Sequence, residues 1–267
     1  MKCTFYGVCG SYPSISPDSL PIRHTACVAI ETNDFLVIFD AGSGIINLGH
    51  SIRDVSKPIF LLFSHFHYDH IIGLPYFSPL YDPRHNITIL HPNPKKINSI
   101  LAKIFNSDFF PIPYSQLPKP IDVRPLDFCK PYNFSIIPYS LNHPGGCLGY
   151  RFIYHDTSVI YATDNQLDTN NLNDFSTLFK CSSLLIHDCY FFDESQENLK
   201  TWGHTFLPDL LSLSLSSNID HLCPFHFKPD INHAYLNSMK HFVDSTLKEK
   251  QSPMSCTFAY DGFSIDL

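Results

Sequence analysis

The sequence is poor in basic residues and contains no long apolar run. Its 267 residues include 18 Lys and Arg against 25 Asp and Glu, which gives a formal net charge of −7. Proteins bind long nucleic acids through clustered Lys and Arg, so such a partner is not expected. No stretch is apolar enough to span a membrane, and no signal peptide is visible. We therefore expect a cytoplasmic protein that does not bind membranes.

A CxxC pair, a short repeat and a low-complexity linker are also absent. The nine cysteines are odd in number and most lie in apolar stretches, so we expect buried free thiols in a reducing compartment. The apolar fraction of 44% and the charged fraction of 16% are typical of a globular protein and exclude a disordered one. Without a linker, we expect residues 1–267 to form a single domain.

Histidine is abundant, with 15 residues, and four potential metal ligands follow one predicted strand. The apolar run Pro58–Ser64 has the length and the flanks of a strand buried on both faces. The motif His65-x-His67-x-Asp69-His70 follows directly, and its imidazoles and carboxylate are suitable ligands for Zn, Mn or Fe. Burying such groups together is costly unless an ion neutralises them, so the motif predicts a metal site.

Three further candidate ligands follow other apolar runs. His143 comes just after the predicted strand Ser135–Ser140, and Asp164 follows a predicted strand that begins at Ser158. His226 also follows an apolar run. A lone His or Asp in a loop is usually a solvated surface residue. The common position of these three after apolar runs favours a role as ligands of a two-metal centre.

The predicted elements run in the order strands, helices, more strands and helices. That order fits an α/β fold in which two sheets pack together with helices on the outer faces. The main predictions are a hairpin of Thr25–Glu31 and Phe35–Phe39, helices over Lys95–Phe105, Thr205–Leu213 and Ile231–Leu247, a surface loop over Phe109–Pro125, and a closing strand over Ser255–Tyr260.

The metal motif and two turns resemble the metallo-β-lactamase superfamily over nearly the whole chain. The turns are Phe5–Ser11 and Phe39–Gly44, and the motif matches every ligand position of the family signature. The resemblance implies an αββα sandwich of two mixed β-sheets with helices on the outer faces. It also implies two divalent metal ions, with Zn preferred and Mn or Fe as alternatives. One metal would take His65, His67 and His143, the other would take Asp69, His70 and His226, and Asp164 would bridge the two.

Two further motifs are similar to those of the phosphodiesterase branch, which includes RNase Z and cyclic-nucleotide phosphodiesterases. They are Leu184–Cys189, a predicted strand that ends in His-Asp, and Trp202–Thr205, which contains Gly-His-Thr. The resemblance implies that His204 lies close to the scissile phosphate and that Asp188 orients it. Asp69 is a third candidate catalytic residue, besides its role as a ligand.

Together these motifs predict a metal-dependent phosphodiesterase. A hydroxide shared by two metals would attack phosphorus, while His204 would stabilise the developing charge and protonate the leaving oxygen. By the same resemblance, RNase Z grips tRNA with a long arm between the ligands that match His143 and Asp164. That interval here has room only for short strands and a turn. The expected substrate is therefore a small phosphodiester, first a cyclic nucleotide.

Five residues near these motifs have candidate roles outside the metal site. We expect His187 to be a buried structural residue. Thr205 is a candidate N-cap of the following helix, and whether it has that role is left open. Arg23, His24 and Lys228 lie in loops that depart from the family pattern. They are candidate contacts for an anionic substrate, although solvated surface charge is the ordinary role of such residues.

Other functions are compatible with the same sequence. The chain could be an RNase Z-like ribonuclease, or a thioester or lactam hydrolase of the same superfamily. The Trp202–Thr205 element argues against carbonyl hydrolysis, because such a reaction has less use for a group placed at a phosphate. A protein that binds a nucleotide without cleaving it would not need the complete ligand set. The sequence leaves open the metal, a homodimer, and whether the segment 110–120 covers a pocket or a partner subunit.

Overall fold

The fold is an αββα sandwich of two mixed β-sheets with helices on the outer faces. The computed structural model describes residues 1–15, 20–168, 172–192 and 201–267. The strands are β1 (Lys2–Gly7), β2 (Cys27–Glu31), β3 (Leu36–Phe39), β4 (Ile59–Leu62), β5 (Ile87–Leu90), β6 (Asp122–Arg124), β7 (Phe134–Leu141), β8 (Cys147–Tyr154), β9 (Thr157–Ala162), β10 (Leu184–Asp188), β11 (His221–Phe225), β12 (Ser255–Cys256) and β13 (Ser264–Asp266).

Six α-helices lie in the described residues, together with short 3-10 turns. They are α1 (Gly44–Ser51), α2 (Tyr68–Ile71), α3 (Pro94–Ile104), α4 (Leu172–Phe179), α5 (Leu207–Ser216) and α6 (His233–Glu249). None of these helices is both long enough and apolar enough to cross a lipid bilayer.

The first sheet has the strand order β13-β1-β2-β3-β4-β5-β6. Strands β2 and β3 form the predicted antiparallel hairpin, and β3 to β6 run parallel. All four residues of β4 are buried between two neighbouring strands. This position explains why the sequence of β4 is an unbroken apolar run, and it places the metal motif at the end of a central strand.

The second sheet has the strand order β12-β11-β10-β9-β8-β7. Strands β9 to β12 run parallel, while β8 is antiparallel to both β7 and β9. Strand β7 therefore points the same way as β9, β10 and β11. The carboxyl ends of these four strands lie at one edge of the sheet, where α/β proteins commonly carry their functional residues.

Alternating side chains of the first sheet face two different cores. In β2, Val28 and Ile30 point into the core between the sheets, where they join buried residues of β8 and β9. Cys27 and Ala29 point to the opposite face and pack with buried residues of α1 and α3. This period of two along a strand is what a sheet covered on both faces requires. The predicted fold class is confirmed.

Two predicted elements at the edges of the sheets were wrong. The loop predicted over Phe109–Pro125 contains the short strand β6, which pairs with β5. The closing strand predicted over Ser255–Tyr260 is only the two residues of β12, whereas β13, which was not predicted, pairs with β1. Strands β6 and β13 have three residues each, too few to show an alternation of apolar and polar side chains.

The nine cysteines all lie in described residues, and each is a free thiol. Most are buried, while Cys181 is exposed. Burial raises the pKa of Cys27 and Cys189 well above the ordinary value. Such thiols stay neutral and pack as small apolar side chains, as the sequence predicted.

Candidate metal centre

All seven predicted ligands lie at one edge of the sandwich, where the carboxyl ends of four strands meet. Each ligand segment begins within three residues of the end of its strand. The segments are thus positioned by the sheets and not by long loops, which favours a rigid site. His65, His67, Asp69 and His70 follow β4, His143 follows β7, Asp164 follows β9, and His226 follows β11.

Asp164 lies at the centre of this cluster and divides it into two groups. Its Oδ2 faces Nε2 of His65 at 3.7 Å and Nε2 of His143 at 3.6 Å. Its Oδ1 faces Nε2 of His70 and Nε2 of His226, each at 3.1 Å. The two oxygens of one carboxylate thus point into different groups, as a bridging ligand requires. In each group the ligand atoms lie within 4.8 Å of one another. The first group contains His65, His67, His143 and Asp164, and the second contains Asp69, His70, Asp164 and His226.

The backbone is strained at three residues that closely follow strands in this region. Asp40, Asp164 and His226 have φ angles of 61°, 45° and 58°, in the left-handed region that residues other than glycine rarely adopt. Each follows a strand closely, so the chain turns sharply there. Backbone strain of this kind costs about 1–3 kcal/mol per residue and is typical of functional sites, where the surroundings enforce it.

Two glycines allow the backbone to pack directly against ligand rings. A Cβ at Gly10 would lie 2.6 Å from Cε1 of His226. Gly203 has a φ of 83°, and a Cβ there would lie 2.5 Å from Nδ1 of His143. The carbonyl of Gly203 accepts a hydrogen bond from that Nδ1 at 3.0 Å. The bond fixes the ring of His143 and leaves Nε2 directed at Asp164.

Asp40 binds the ring of His70 on the side away from Asp164. The sequence analysis did not predict Asp40 as a site residue. It is fully buried, and its Oδ2 accepts hydrogen bonds from Nδ1 of His70 at 2.9 Å and from the hydroxyl of Tyr161 at 2.8 Å. Oγ of Ser64 donates to the same oxygen at 2.7 Å, and the Ser64 N–H donates to Oδ1 at 2.7 Å. The position of an Asp directly after the apolar strand β3 was the available signal.

The electrostatics of the cluster favour a bound cation. Burial lowers the pKa of His65 to about 2, so this ring is neutral, as a metal ligand must be. Burial opposes a charge on Asp164, but the imidazoles of His226 and His70 lower its pKa well below the ordinary value. Nε2 of His65 and Nε2 of His70 are buried without a hydrogen-bond partner in the described part of the chain. Unpartnered imidazole nitrogens that face an ionised carboxylate fit divalent metal ions.

His204 lies beside the cluster, and Asp188 holds it in place. Nδ1 of His204 donates to Oδ2 of Asp188 at 2.8 Å, and both side chains are buried. The centroid of the His204 ring lies 5.4 Å from that of His143 and 5.3 Å from that of His226. Burial opposes a charge on this ring, but Asp188 raises the pKa of His204 to about 9. Asp188 therefore favours the protonated form of the ring, and Nε2 is the nitrogen left for the cleft.

The neighbours of this pair have structural contacts. His187 is fully buried, with Nε2 3.1 Å from Nδ2 of Asn165 and Nδ1 2.8 Å from the carbonyl oxygen of Asp188. Thr205 is not a helix N-cap, because α5 begins two residues later than predicted and its cap is Phe206. The hydroxyl of Thr205 instead donates to the carbonyl of Asn165 and joins β9 to the His204 loop.

Tyr190 and Ser11 also contact the site, and neither was predicted as a site residue. The ring of Tyr190 stacks on that of His204, with centroids 4.5 Å apart and an interplanar angle of 15°. Its hydroxyl is 3.2 Å from Oγ of Ser11, whose backbone N–H donates to Oδ2 of Asp69 at 2.8 Å. Tyr190 thus connects His204 with the loop that holds Asp69.

The cluster opens into a cleft of about 590 Å³. Trp202 and Phe66 lie in its walls beside the ligands. Among the described residues that line the cleft, Arg23, His24 and Lys228 are not found. Nζ of Lys228 lies instead 4.5 Å from the centroid of the Tyr235 ring. The structure therefore does not bring these three candidate anion contacts to the site.

A family model described as a β-lactamase superfamily domain matches residues 36–227. The chain belongs to the metallo-β-lactamase superfamily. The family expected from the motifs is confirmed, and with it a hydrolase whose fold binds divalent metal ions. The candidate metal centre lies at the His-rich motif that carried the resemblance.

Members with known structures or names match along nearly the whole chain. A ribonuclease Z from Picrophilus torridus is 25% identical, over 93% of this chain and 94% of that protein. The structure of human tRNase Z, short form, has a TM-score of 0.70 at 17% identity and covers 100% of this chain and 99% of that one. A diphosphatase of the PhnP family has a TM-score of 0.68 at 19% identity, covering 100% and 97%. At these identities the structural likeness shows the shared fold.

The position of Asp40 gives a first prediction for this hydrolase. In Asp40→Asn, the amide group in either orientation faces an N–H donor, from His70 or from Ser64. We expect a loss of roughly 1–3 kcal/mol in the free energy of unfolding and about 10–100-fold weaker metal binding. Chemical denaturation and competition with a chelator measure the two effects. The exposed Asp156 supplies a matched control, Asp156→Asn, which should change neither; unaltered metal affinity in Asp40→Asn would refute the positioning role.

Proposed function

We propose that the protein is a phosphodiesterase that uses two divalent metal ions to cleave a small phosphodiester, with a cyclic nucleotide as the leading candidate. The observation that carries the proposal is the hydrogen-bonded pair of His204 and Asp188 beside the metal cluster. Phosphodiester cleavage builds up negative charge and needs a proton for the leaving oxygen, and a protonated imidazole can supply both needs. Hydrolysis of a thioester has less use for such a group.

The ligand assignment follows the two groups that share Asp164. Zn is the first candidate because imidazole-rich sets suit it, and Mn and Fe are the alternatives. Such ions, when bound, act as Lewis acids on phosphate oxygens and lower the pKa of water. We assign His65, His67 and His143 to one metal, Asp69, His70 and His226 to the other, and Asp164 to both.

The side chains of the protein supply orientation and a proton. Asp188 holds Nδ1 of His204, so Nε2 is the atom that would carry a proton to the leaving oxygen. Tyr190 stacks on the same ring and limits its rotation. Asp40 and the carbonyl of Gly203 keep Nε2 of His70 and Nε2 of His143 directed into the cluster. A rigid arrangement of this kind reduces the reorganisation needed during reaction.

The hairpin of β8 and β9 supports a small substrate. It fills most of the interval between His143 and Asp164, and its strands are joined by a tight turn at His155 and Asp156. This fully described interval contains no long arm of the kind implied for RNase Z. The cleft of about 590 Å³ also falls within the roughly 300–1,000 Å³ of typical small-molecule sites.

An RNase Z-like ribonuclease is the second candidate function. It is favoured by the 25% identity to a ribonuclease Z along 93% of this chain. Cleavage of a tRNA precursor by the metal-loaded protein, at a rate above that on cyclic nucleotides, would support this candidate over the first.

A panel of substrates tests the proposal. We expect the metal-loaded protein to cleave a chromogenic phosphodiester and at least one cyclic nucleotide, and to leave thioesters and lactams intact. Cleavage of only the carbonyl substrates would refute the phosphodiesterase assignment. Tight binding of cyclic nucleotides without turnover would indicate a protein that sequesters a nucleotide.

A further inference from the structure

An apolar groove of about 390 Å³ lies next to the metal cleft. Its aromatic walls include Tyr68, Tyr76 and Phe109, whose side chains are 81%, 56% and 83% exposed. Large apolar side chains gathered at one exposed place are costly to hydrate, so such a surface usually binds something. The volume falls in the range of small-molecule sites, about 300–1,000 Å³.

The groove and the metal cleft share a wall. Phe66 and Tyr68 line both of them, and each is a direct neighbour of His67 in the chain. A group that enters the groove is therefore separated from the candidate ligands by no more than these two side chains. This continuity favours an occupant that is covalently attached to the group bound at the metals.

The segment Phe109–Pro125, for which the sequence predicted a surface loop, begins at the far side of the groove. The ring of Phe110 lies edge-on to Tyr76, with centroids 5.5 Å apart, and edge-on to Phe105 at 5.8 Å. These contacts fix the segment against α3. The sequence left open whether the segment 110–120 covers a pocket, and the structure places Phe110, with its neighbour Phe109, in the wall of one.

The charges around the two cavities suit a substrate with an anionic group in the cleft and an uncharged group in the groove. No Lys or Arg is found among the described residues that line the cleft, so the metal centre and His204 are left as the candidate contacts for a phosphate. Lys103 lines the groove, and Nζ of Lys96 lies 5.3 Å from the centroid of the Phe66 ring. The remaining groove surface is largely aromatic and aliphatic, which suits the flat face of a planar ring.

We propose that this groove is a substrate subsite that binds a planar aromatic group carried by the alcohol or phenol that is esterified to the scissile phosphate, with Tyr68 and Phe109 as specificity-determining residues. The inference rests on the proposed phosphodiesterase function and narrows its substrates to aryl or nucleoside phosphodiesters. Stacking on Phe66 and Tyr68 supplies affinity without sequence-specific hydrogen bonds, because every aromatic base has a flat apolar face.

Two product-like ligands, phenyl phosphate and methyl phosphate, test the subsite on the metal-loaded protein. Both carry the same phosphate, so the difference in their affinities reports the ring alone. Trp202 is the single tryptophan of the chain and lines the cleft, so its fluorescence gives a direct binding signal. We expect phenyl phosphate to bind about tenfold or more tightly than methyl phosphate, as base stacking on aromatic residues does.

Substitutions on the groove should remove this preference. In Phe109→Ala, we expect the ratio of the two affinities to fall towards one while methyl phosphate binds as before. In Tyr68→Ala, which also changes a wall of the metal cleft, we expect the same ratio to fall. Both side chains are more than four-fifths exposed, so their truncation removes little packing. Tyr260→Ala truncates an exposed aromatic residue outside the groove and should keep the wild-type ratio. Metal content measured on each variant shows that the ligands next to Tyr68 still hold their ions.

The outcomes distinguish a failure of the proposed subsite from a failure of the proposed phosphodiesterase function. Equal affinities for the two phosphates, or a preference that both substitutions leave intact, would overturn the subsite while the phosphodiesterase assignment stands. Binding of neither phosphate would count against both. A preference unaltered by Phe109→Ala, together with a changed oligomeric state in light scattering, would assign the groove to a second copy of the chain and overturn the inference.

Discussion

Replacement of His67 by alanine is expected to abolish phosphodiester cleavage and to lower the metal content of the protein. His67 belongs to the group on the Oδ2 side of Asp164, and its Nδ1 lies 3.3 Å from Nε2 of His143. The ring is exposed, so its removal should leave the fold intact while one metal loses a ligand. The activity should fall by more than the roughly 10–100-fold typical of residues that only support a ligand.

Elemental analysis and a thermal melt of the same sample distinguish this result from unfolding. His241 is an exposed histidine on α6, away from the cluster, and His241→Ala serves as the matched control. The control should retain full metal and full activity. If His67→Ala did the same, the first metal group would be assigned wrongly.

Replacement of His204 by alanine should reduce the rate while the metal remains bound. The ring belongs to neither of the two groups that share Asp164, and its Nδ1 is occupied by Asp188. Loss of a positioned general acid typically costs about 10²–10⁴-fold in rate. We expect the loss in kcat with little change in KM, because the proposed role of His204 is at the leaving oxygen, whereas the metals would bind the phosphate.

The partner of His204 gives an internal check on this assignment. Asp188→Asn keeps an acceptor for Nδ1 but removes the charge that favours a protonated ring, so we expect a smaller loss of kcat in the same direction. Steady-state kinetics on a chromogenic phosphodiester, with metal content determined in parallel, measure both variants. Wild-type kcat in His204→Ala would rule out its role as the acid.

The fold and the candidate ligands were largely predictable because they depend on local sequence. Strand β4 shows an apolar run of strand length, and the His-x-His-x-Asp-His motif follows it without interruption. Asp164 and His226 were harder, since single residues after a strand have little signal of their own. They were identified by their common position after apolar runs and then by the resemblance to a known family, and the structure brings both to the motif.

Residues that support the ligands from a distance could not be predicted. Tyr161 reaches Asp40 across 121 positions of sequence, and Tyr190 reaches Ser11 across 179. Such contacts depend on how the two sheets pack, which no local pattern records. The role of Thr205, which the sequence left open, was unpredictable for a similar reason, because its hydroxyl donates to the carbonyl of Asn165 and does not cap the helix.

Charged residues in the loops next to the motifs also did not predict which side chains line the cleft. Lys228 follows a candidate ligand by two positions, yet its ammonium group lies over Tyr235 and 3.7 Å from Oδ1 of Asp230. The left-handed backbone at His226 turns the chain there, so sequence neighbours diverge from the cleft. A residue that follows a candidate ligand in the sequence therefore need not lie near the site when the chain turns sharply between the two.

Titration of the metal-free protein with Zn, Mn or Fe, with phosphodiester cleavage followed on the same sample, tests the two-metal centre most directly. The arrangement around Asp164 predicts no cleavage without metal and a rise in activity that ends at about two ions per chain, as expected of a two-metal hydrolase. Full activity in the metal-free protein, or a plateau at one ion per chain, would contradict it.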